Sequence, residues 1–348
     1  MASQLSTIIV ATCTLLLLSI LKPSSGQGLP ILTPEYLAIK LPSPNSCLTP
    51  FYDGNDSIYL FGGCEENNRN QILVYSIISE VIRFVGTLPT SGMNGHVQGD
   101  RAGNMYYIGG LNNGEEWTQV VKFSPATNTT SVVVTLPFSV QDSTSVKYNG
   151  TSNTIYIIGG DANPTSLMAL DLSLSTHSTV ATLPFGIHQA ASFRYGNKAY
   201  VFDAGTGENQ TTAMELDLDT FRMMSVGPST LPRIILFPSL VFDGNLFAYL
   251  IGGYRPDSPP VTPSEGIIQF NPITFEHAFV PVRNYPISGN YFYHSPASVY
   301  VARNNRIYCF GVSTFNVTAD RLVARDEIFK IDLTPLNLPS TSTVATRN

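Results

Sequence analysis

Few residues in this chain of 348 could do chemistry, and they are scattered. Tyr293-His294-Ser295 sets a phenol beside an imidazole, a pair that can ligate a transition metal or share a proton. Two further histidines, His96 and His188, invite the question of a shared metal. A zinc site needs all its ligands within ~2.1 Å of one ion, however, and no Cys or His pair has C-x-x-C or H-x-x-x-H spacing. Glu65, Glu66, Glu115 and Glu116 could supply a glycosidase acid and nucleophile only if the fold set two carboxylates at the right separation. There is no Gly-x-Ser-x-Gly elbow and no phosphate-cradling Gly loop. We therefore assign no catalytic residue, no metal and no cofactor from sequence.

What must position these residues is a repeat. An aromatic-rich apolar run ending in Gly-Gly recurs as Ile58-Tyr59-Leu60-Phe61-Gly62-Gly63, Tyr106-Tyr107-Ile108-Gly109-Gly110, Ile155-Tyr156-Ile157-Ile158-Gly159-Gly160 and Ala248-Tyr249-Leu250-Ile251-Gly252-Gly253. Degenerate copies end at Asp203-Ala204 and Gly311-Val312. The first-Gly positions 62, 109, 159, 203, 252 and 311 are 47, 50, 44, 49 and 59 residues apart. Each copy reads as a four-stranded antiparallel blade, with strands a to d from axis to rim and the aromatic run as strand b. Turn residues that tolerate positive φ, such as Asp53-Gly54-Asn55 and Asp243-Gly244-Asn245, join a to b. Strand c ends at Tyr75, Phe123, Leu170, Leu216, Phe270 and Ile331. A type I turn signature follows, clearest in Ser124-Pro125-Ala126-Thr127. Strand d then runs to a Leu-Pro stop at Leu88-Pro89, Leu136-Pro137, Leu183-Pro184 and Leu231-Pro232.

This pattern resembles the kelch repeat family, whose period is about 50 residues. The resemblance covers residues 35–333 and implies an all-β, six-bladed β-propeller. The Trp that kelch repeats usually carry about seven residues after the strand-c anchor is absent, and Ile82, Thr130, His177, Met223 and His277 stand near those positions. The sixth blade has no strand d after Leu333. The run from Tyr36 to Pro42 has the same character, Leu-Pro stop included, so the N-terminal segment is expected to close the ring as that strand.

Tyr293-His294-Ser295 also looks like the tyrosine and histidine ligand segment of galactose oxidase and related copper radical oxidases, which share the kelch propeller. That resemblance implies a second His from an appended domain and a cysteine crosslinked to a tyrosine. The chain ends just after its last blade, and no cysteine has an obvious crosslinking context.

Residues 8–21 form an apolar run followed by Lys22-Pro23-Ser24-Ser25-Gly26, which reads as a signal peptide spanning residues 1–26. Residues 27–34 are a lead and 334–348 a polar tail. No later segment is apolar enough to span a membrane. Sequons at Asn55, Asn128, Asn149, Asn209 and Asn316 fit the secretory route. Cleavage would remove Cys13 and leave Cys47, Cys64 and Cys309. In a meander the d-to-a and b-to-c loops share one face, so Cys47 before strand a and Cys64 after strand b of one blade are expected to pair, with Cys309 a buried thiol.

Asn55, Asn128 and Asn149 fall on the a-to-b and c-to-d side. The longest loops, 65–70, 111–117, 254–264 and 313–325, fall on the other rim, which is the expected binding face. Its candidates are Glu65, Arg69, Trp117, Tyr254, Arg255, Tyr291, Tyr293 and Arg321, chosen as exposed aromatic or charged contacts. His96, His188 and His294 are expected around the same mouth. A net charge of −6 removes the electrostatic reason to expect nucleic acid. The reading is a secreted, non-enzymatic module for a protein or glycan ligand. Its alternative is an extracellular enzyme on the same propeller, an oxidase of the copper radical kind or a glycan hydrolase.

Overall fold

The computed structural model describes residues 29–65, 69–112, 115–149, 152–202, 213–227, 239–252, 266–284, 290–316 and 321–337. The expected signal segment, Asn209, Tyr254, Arg255 and most of the C-terminal tail lie outside them. From Ile31 onward the chain forms one compact unit. It is a six-bladed β-propeller of antiparallel sheets.

The aromatic runs are the second strands, Ser57–Phe61, Met105–Ile108, Thr154–Ile158, Lys198–Phe202, Ala248–Ile251 and Arg306–Asn316. They are buried on both faces because each blade is sandwiched between two others, which is why they read as continuous apolar stretches. The innermost strands are Thr49–Tyr52, His96–Gly99, Thr144–Lys147, Ala191–Tyr195, Ser239–Phe242 and Ala297–Val301. Each touches the innermost strand of the next blade, and that of blade six touches that of blade one, so the ring is closed. The strand-c anchors are fully buried, Tyr75, Phe123, Leu170 and Leu216 among them. The residue seven positions on stands directly across the ladder from each: Ile82 opposite Tyr75, Thr130 opposite Phe123, His177 opposite Leu170 and His277 opposite Phe270. Aromatic contacts between blades fill the space, as where Phe61 meets Tyr107 at 6.2 Å and Tyr75 meets Phe310 at 5.4 Å.

The diglycines have a specific task. Gly62, Gly109, Gly159, Gly252 and Gly311 all have positive φ, and a side chain on each would run into the linker that leads to a strand a: Gly92, Val140, Ile187, Ser295 and Asn45 respectively. With no Cβ in the way, Gly63 and Gly160 donate their N–H to the carbonyls of Gly92 and Ile187 at 2.9 and 3.0 Å. The next residue reaches the other linker, Cys64 to Ser46, Leu111 to Met93 and Asp161 to Gln141. In blades one to three the motif therefore ties the b-to-c loop to the d-to-a linkers beside it.

The sixth blade is completed from the N-terminus. Pro34–Tyr36 pairs antiparallel with Arg321–Asp332, Pro34 opposite Ile331. The Leu41 N–H bonds the Asp326 carbonyl, as those of Leu88, Leu136 and Leu183 bond Asn70, Thr118 and Thr165. The regular strand is shorter than the expected span from Tyr36 to Pro42. In blades one to three the ladder shifts register three residues before the Leu, and here the regular pairing breaks off near the same level. Lys330, almost fully buried, reaches Glu35 at 2.8 Å and Glu80 at 3.4 Å, tying the closing strand to blade one. The lead extends the closure, because Leu32 bridges Val282 at the end of blade five.

One expected loop is not a loop. Residues 313–325 were assigned to an irregular connection, but the ladder between Arg306–Asn316 and Arg321–Asp332 runs on to Asn316 opposite Arg321. Asn290–His294 adds beside it as a further strand.

Closure by the N-terminal segment makes a test. Leu41 is buried at the seam between the first and last blades, so Leu41→Ala should cost about 3 kcal/mol. Urea unfolding should show a lower midpoint at unchanged slope.

Candidate functional site

The described d-to-a linkers and the first residues of the innermost strands line an open cavity of about 200 Å³ at the axis. Its polar lining includes Asn94, His96, Asp142, Ser143, Gln189 and Ser295, with Cys47 and Thr49 from blade one. All six blades contribute, so the site exists only because the ring is closed.

Its geometry follows from one repeated conformation. Cys47, Asn94, Asp142 and Gln189 are 47, 48 and 47 residues apart, each two residues before the start of strand a. All four are left-handed, at φ 55, 54, 54 and 47°. Asn and Asp tolerate this region because their short polar side chains bond locally. Each turn sets a side chain at the mouth, and three consecutive blades deliver an amide, a carboxylate and an amide.

The first residue of strand a bonds onward to the next blade. Thr49 donates its hydroxyl to the Gly95 carbonyl at 3.1 Å, and His96 Nε2 meets Ser143 Oγ at 2.9 Å. Ser143 Oγ itself donates to the Val140 carbonyl at 2.7 Å, so His96 Nε2 is the donor. The imidazole is thus a neutral strut and not a base for the serine. Loss of water around the ring holds its pKa down at about 4.

Among the described residues, Asp142 is the one carboxylate lining the cavity, and it is 8% exposed. Burial first, and the nearby Asp161 carboxylate second, push its pKa up to about 6. Amides of Gln141, Gln189 and Asn94 offset part of this, with Gln141 Nε2 at 3.3 Å. No Lys, Arg or His among the described residues forms an ion pair with it. Of the same residues, no three His, Cys, Asp or Glu come close enough to hold a metal ion.

The expected disulfide is present. Cys47 and Cys64 are bonded with Cα atoms 5.4 Å apart, a covalent counterpart of the hydrogen-bonded junctions at Leu111 and Asp161. Cys309 is a buried thiol beside Ser298 Oγ at 3.5 Å.

The other anticipated site residues scatter. Trp117, expected as an exposed contact, is 5% exposed and packs on Tyr107 with ring centroids 5.5 Å apart, because an indole beside the blade-two core loses more by facing water. His96, His188 and His294 do not occupy equivalent positions. His96 begins a strand a at the axis, whereas His188 precedes the left-handed residue and pairs with Asp161 at 3.0 Å. Glu65 and Arg69 are half-buried on the rim, and Arg69 Nε donates to the Cys64 carbonyl at 3.0 Å. Tyr291, Tyr293 and His294 belong to the added strand, and Arg321 opens its neighbour. Asn55 and Asn128 are exposed on the a-to-b and c-to-d turns, and Asn149 is half-buried on another a-to-b turn. Asn316 ends its strand of the long hairpin. Asn94, Asp142 and Gln189 were missed, although their near-constant spacing just ahead of each strand a was a usable signal.

No protein-family model matches the chain, and no curated protein is significantly similar to it.

The two titrating groups at the mouth act with opposite sign. Asp142 has its pKa raised from 3.8 to about 6, so its contribution to stability is full below about pH 4 and is lost as pH rises through 6. Asp142→Asn should therefore stabilise the protein at pH 7.5 by on the order of 2 kcal/mol, a gain that fades by pH 4 in urea unfolding. His96 has its pKa lowered from 6.5, so its contribution is present above pH 6.5 and lost as pH falls towards 4. His96→Gln should flatten that acid limb. Cys47→Ser should cost about 3 kcal/mol, the loop being short, and reduction should do the same.

Proposed function

We propose that this chain is a secreted kelch-type propeller that acts as a non-enzymatic binding module, recognising a protein or glycan through the rim formed by its d-to-a and b-to-c loops. The observation that carries the reading is the axial cavity at that rim, with its buried, unpaired carboxylate. Ionising Asp142 costs folding free energy, and a perturbed carboxylate in a cleft marks a binding site. The junctions that tie b-to-c loops to linkers in blades one to three hold that part of the rim in place, so little ordering entropy there opposes association.

Three sequons, Asn55, Asn128 and Asn149, fall on the opposite side, whereas by chain order Asn209 and Asn316 fall on the binding rim. Asn55 and Asn128 are exposed at the opposite end of the blades, where glycans would leave the cavity open. The disulfide between Cys47 and Cys64 suits an oxidising compartment. Among the described residues no helix is long and apolar enough to cross a membrane. A glycosidase would need a second carboxylate facing Asp142 across the cavity, and the described lining residues supply one.

Expression through a eukaryotic secretory pathway should yield protein in the medium that begins at Gln27 and carries glycans at Asn55 and Asn128, as read by peptide mass mapping. Labelled protein applied to arrays of glycans and extracellular proteins should select a ligand class. Glu65→Lys with Asp161→Lys should weaken that binding at least about tenfold, whereas Arg101→Glu, exposed on the opposite face, should not. Equal losses from both faces, or retention of the protein inside the cell, would overturn the reading.

A further inference from the structure

We infer that the axial cavity is a socket for a primary ammonium group, held by the Asp142 carboxylate and the side-chain carbonyl oxygens of Asn94 and Gln189. The inference rests on the proposed binding rim and names the chemistry at its centre.

Charge is the first argument. Among the described residues of the lining, Asp142 is the sole formally charged one, and His96 is a neutral donor committed to Ser143. An anion entering the cavity would meet a buried carboxylate with no compensating cation among the described residues. A cation would supply the partner that the folded chain withholds from it.

Hydrogen-bond capacity is the second. Gln141 Nε2 donates to Asp142 Oδ2 at 3.3 Å. Asn94 and Gln189 line the cavity, and each of their side-chain amides carries a carbonyl oxygen able to accept. The left-handed turns of blades two, three and four thus bring three side chains with acceptor oxygens to one cavity. An ammonium carries three donors on one compact centre and matches that array. A guanidinium wants both oxygens of one carboxylate in a plane, but the Gln141 amide occupies Asp142 Oδ2. Calcium takes six to eight oxygens and commonly more than one carboxylate, which this lining does not offer.

Size is the third. About 200 Å³ lies below the range of drug-sized pockets, so the socket suits one side chain or a small amine rather than a sugar ring system. The carboxyl of Asp142, raised towards 6, is ionised at neutral pH, where a primary amine is protonated.

The test uses the intact secreted protein and n-butylammonium, n-butanol, tetramethylammonium and Nα-acetyl-lysine methylamide, titrated by protein-observed NMR at pH 7.5. Butylammonium or the lysine derivative should bind, with n-butanol and tetramethylammonium weaker by at least about tenfold, since they lack the charge or the donors. Asp142→Asn should abolish the preference while raising thermal stability, and Gln189→Ala should weaken binding with the fold retained. Binding of the lysine derivative alone would identify a partner side chain as the source, and of butylammonium alone a free amine. Equal affinity for butanol, no response to any amine, a preference surviving Asp142→Asn, or calcium displacing the amine at lower concentration would each overturn the inference. Loss of array binding in the rim variants with no amine binding would sink the socket alone. Amine binding without any rim-dependent ligand would sink the wider function instead.

Discussion

An unpaired strand edge in the last blade would leave a row of backbone donors and acceptors without partners and the ring open, and everything at the axis depends on that edge being filled. The N-terminal strand fills it, with the Leu41 amide in the place that Leu88, Leu136 and Leu183 occupy elsewhere. Lys330 then bridges the closing strand and blade one through Glu35 and Glu80. Only with this seam shut do the innermost strands of blades six and one meet, and only then do residues of all six blades line one cavity.

Closure transmits to the mouth through the glycine junctions. In five of the blades a left-handed Gly in or just after strand b, Gly62, Gly109, Gly159, Gly252 or Gly311, lets a linker pass where a Cβ would sit, and in blades one to three backbone hydrogen bonds tie linker to loop. The linkers in turn hold Cys47, Asn94, Asp142 and Gln189 in one conformation. In blade one a disulfide reinforces the backbone hydrogen bonds that form the lock there and in blades two and three. The mouth is therefore rigid for the same reason that the diglycine recurs, and rigidity lets a carboxylate stay buried and unpaired.

Much of this was legible in the sequence, because it depends on local rules. The diglycine period set the blade count, the Leu-Pro stop identified Leu41 as belonging to an outer strand, and the meander topology paired Cys47 with Cys64. The errors have a common cause. Trp117 looked like a rim contact because it follows a polar stretch, but its neighbour in space is Tyr107 of the core. His96 and His188 looked equivalent by order along the chain, yet ladder register places them three residues out of step. Residues 313–325 looked like a loop because a mixed polar and apolar ribbon has no compositional mark of its own.

By itself the sequence determined the repeat, the strand order and the chain that closes the ring, since these follow from side-chain period, turn residues and the need to pair edges. The tertiary structure alone decided the site. Asn94, Asp142 and Gln189 are ordinary turn residues in isolation, and their meaning comes from a ring that brings three distant turns to one axis. There the loss of water and the closeness of Asp161 change what a carboxylate can do.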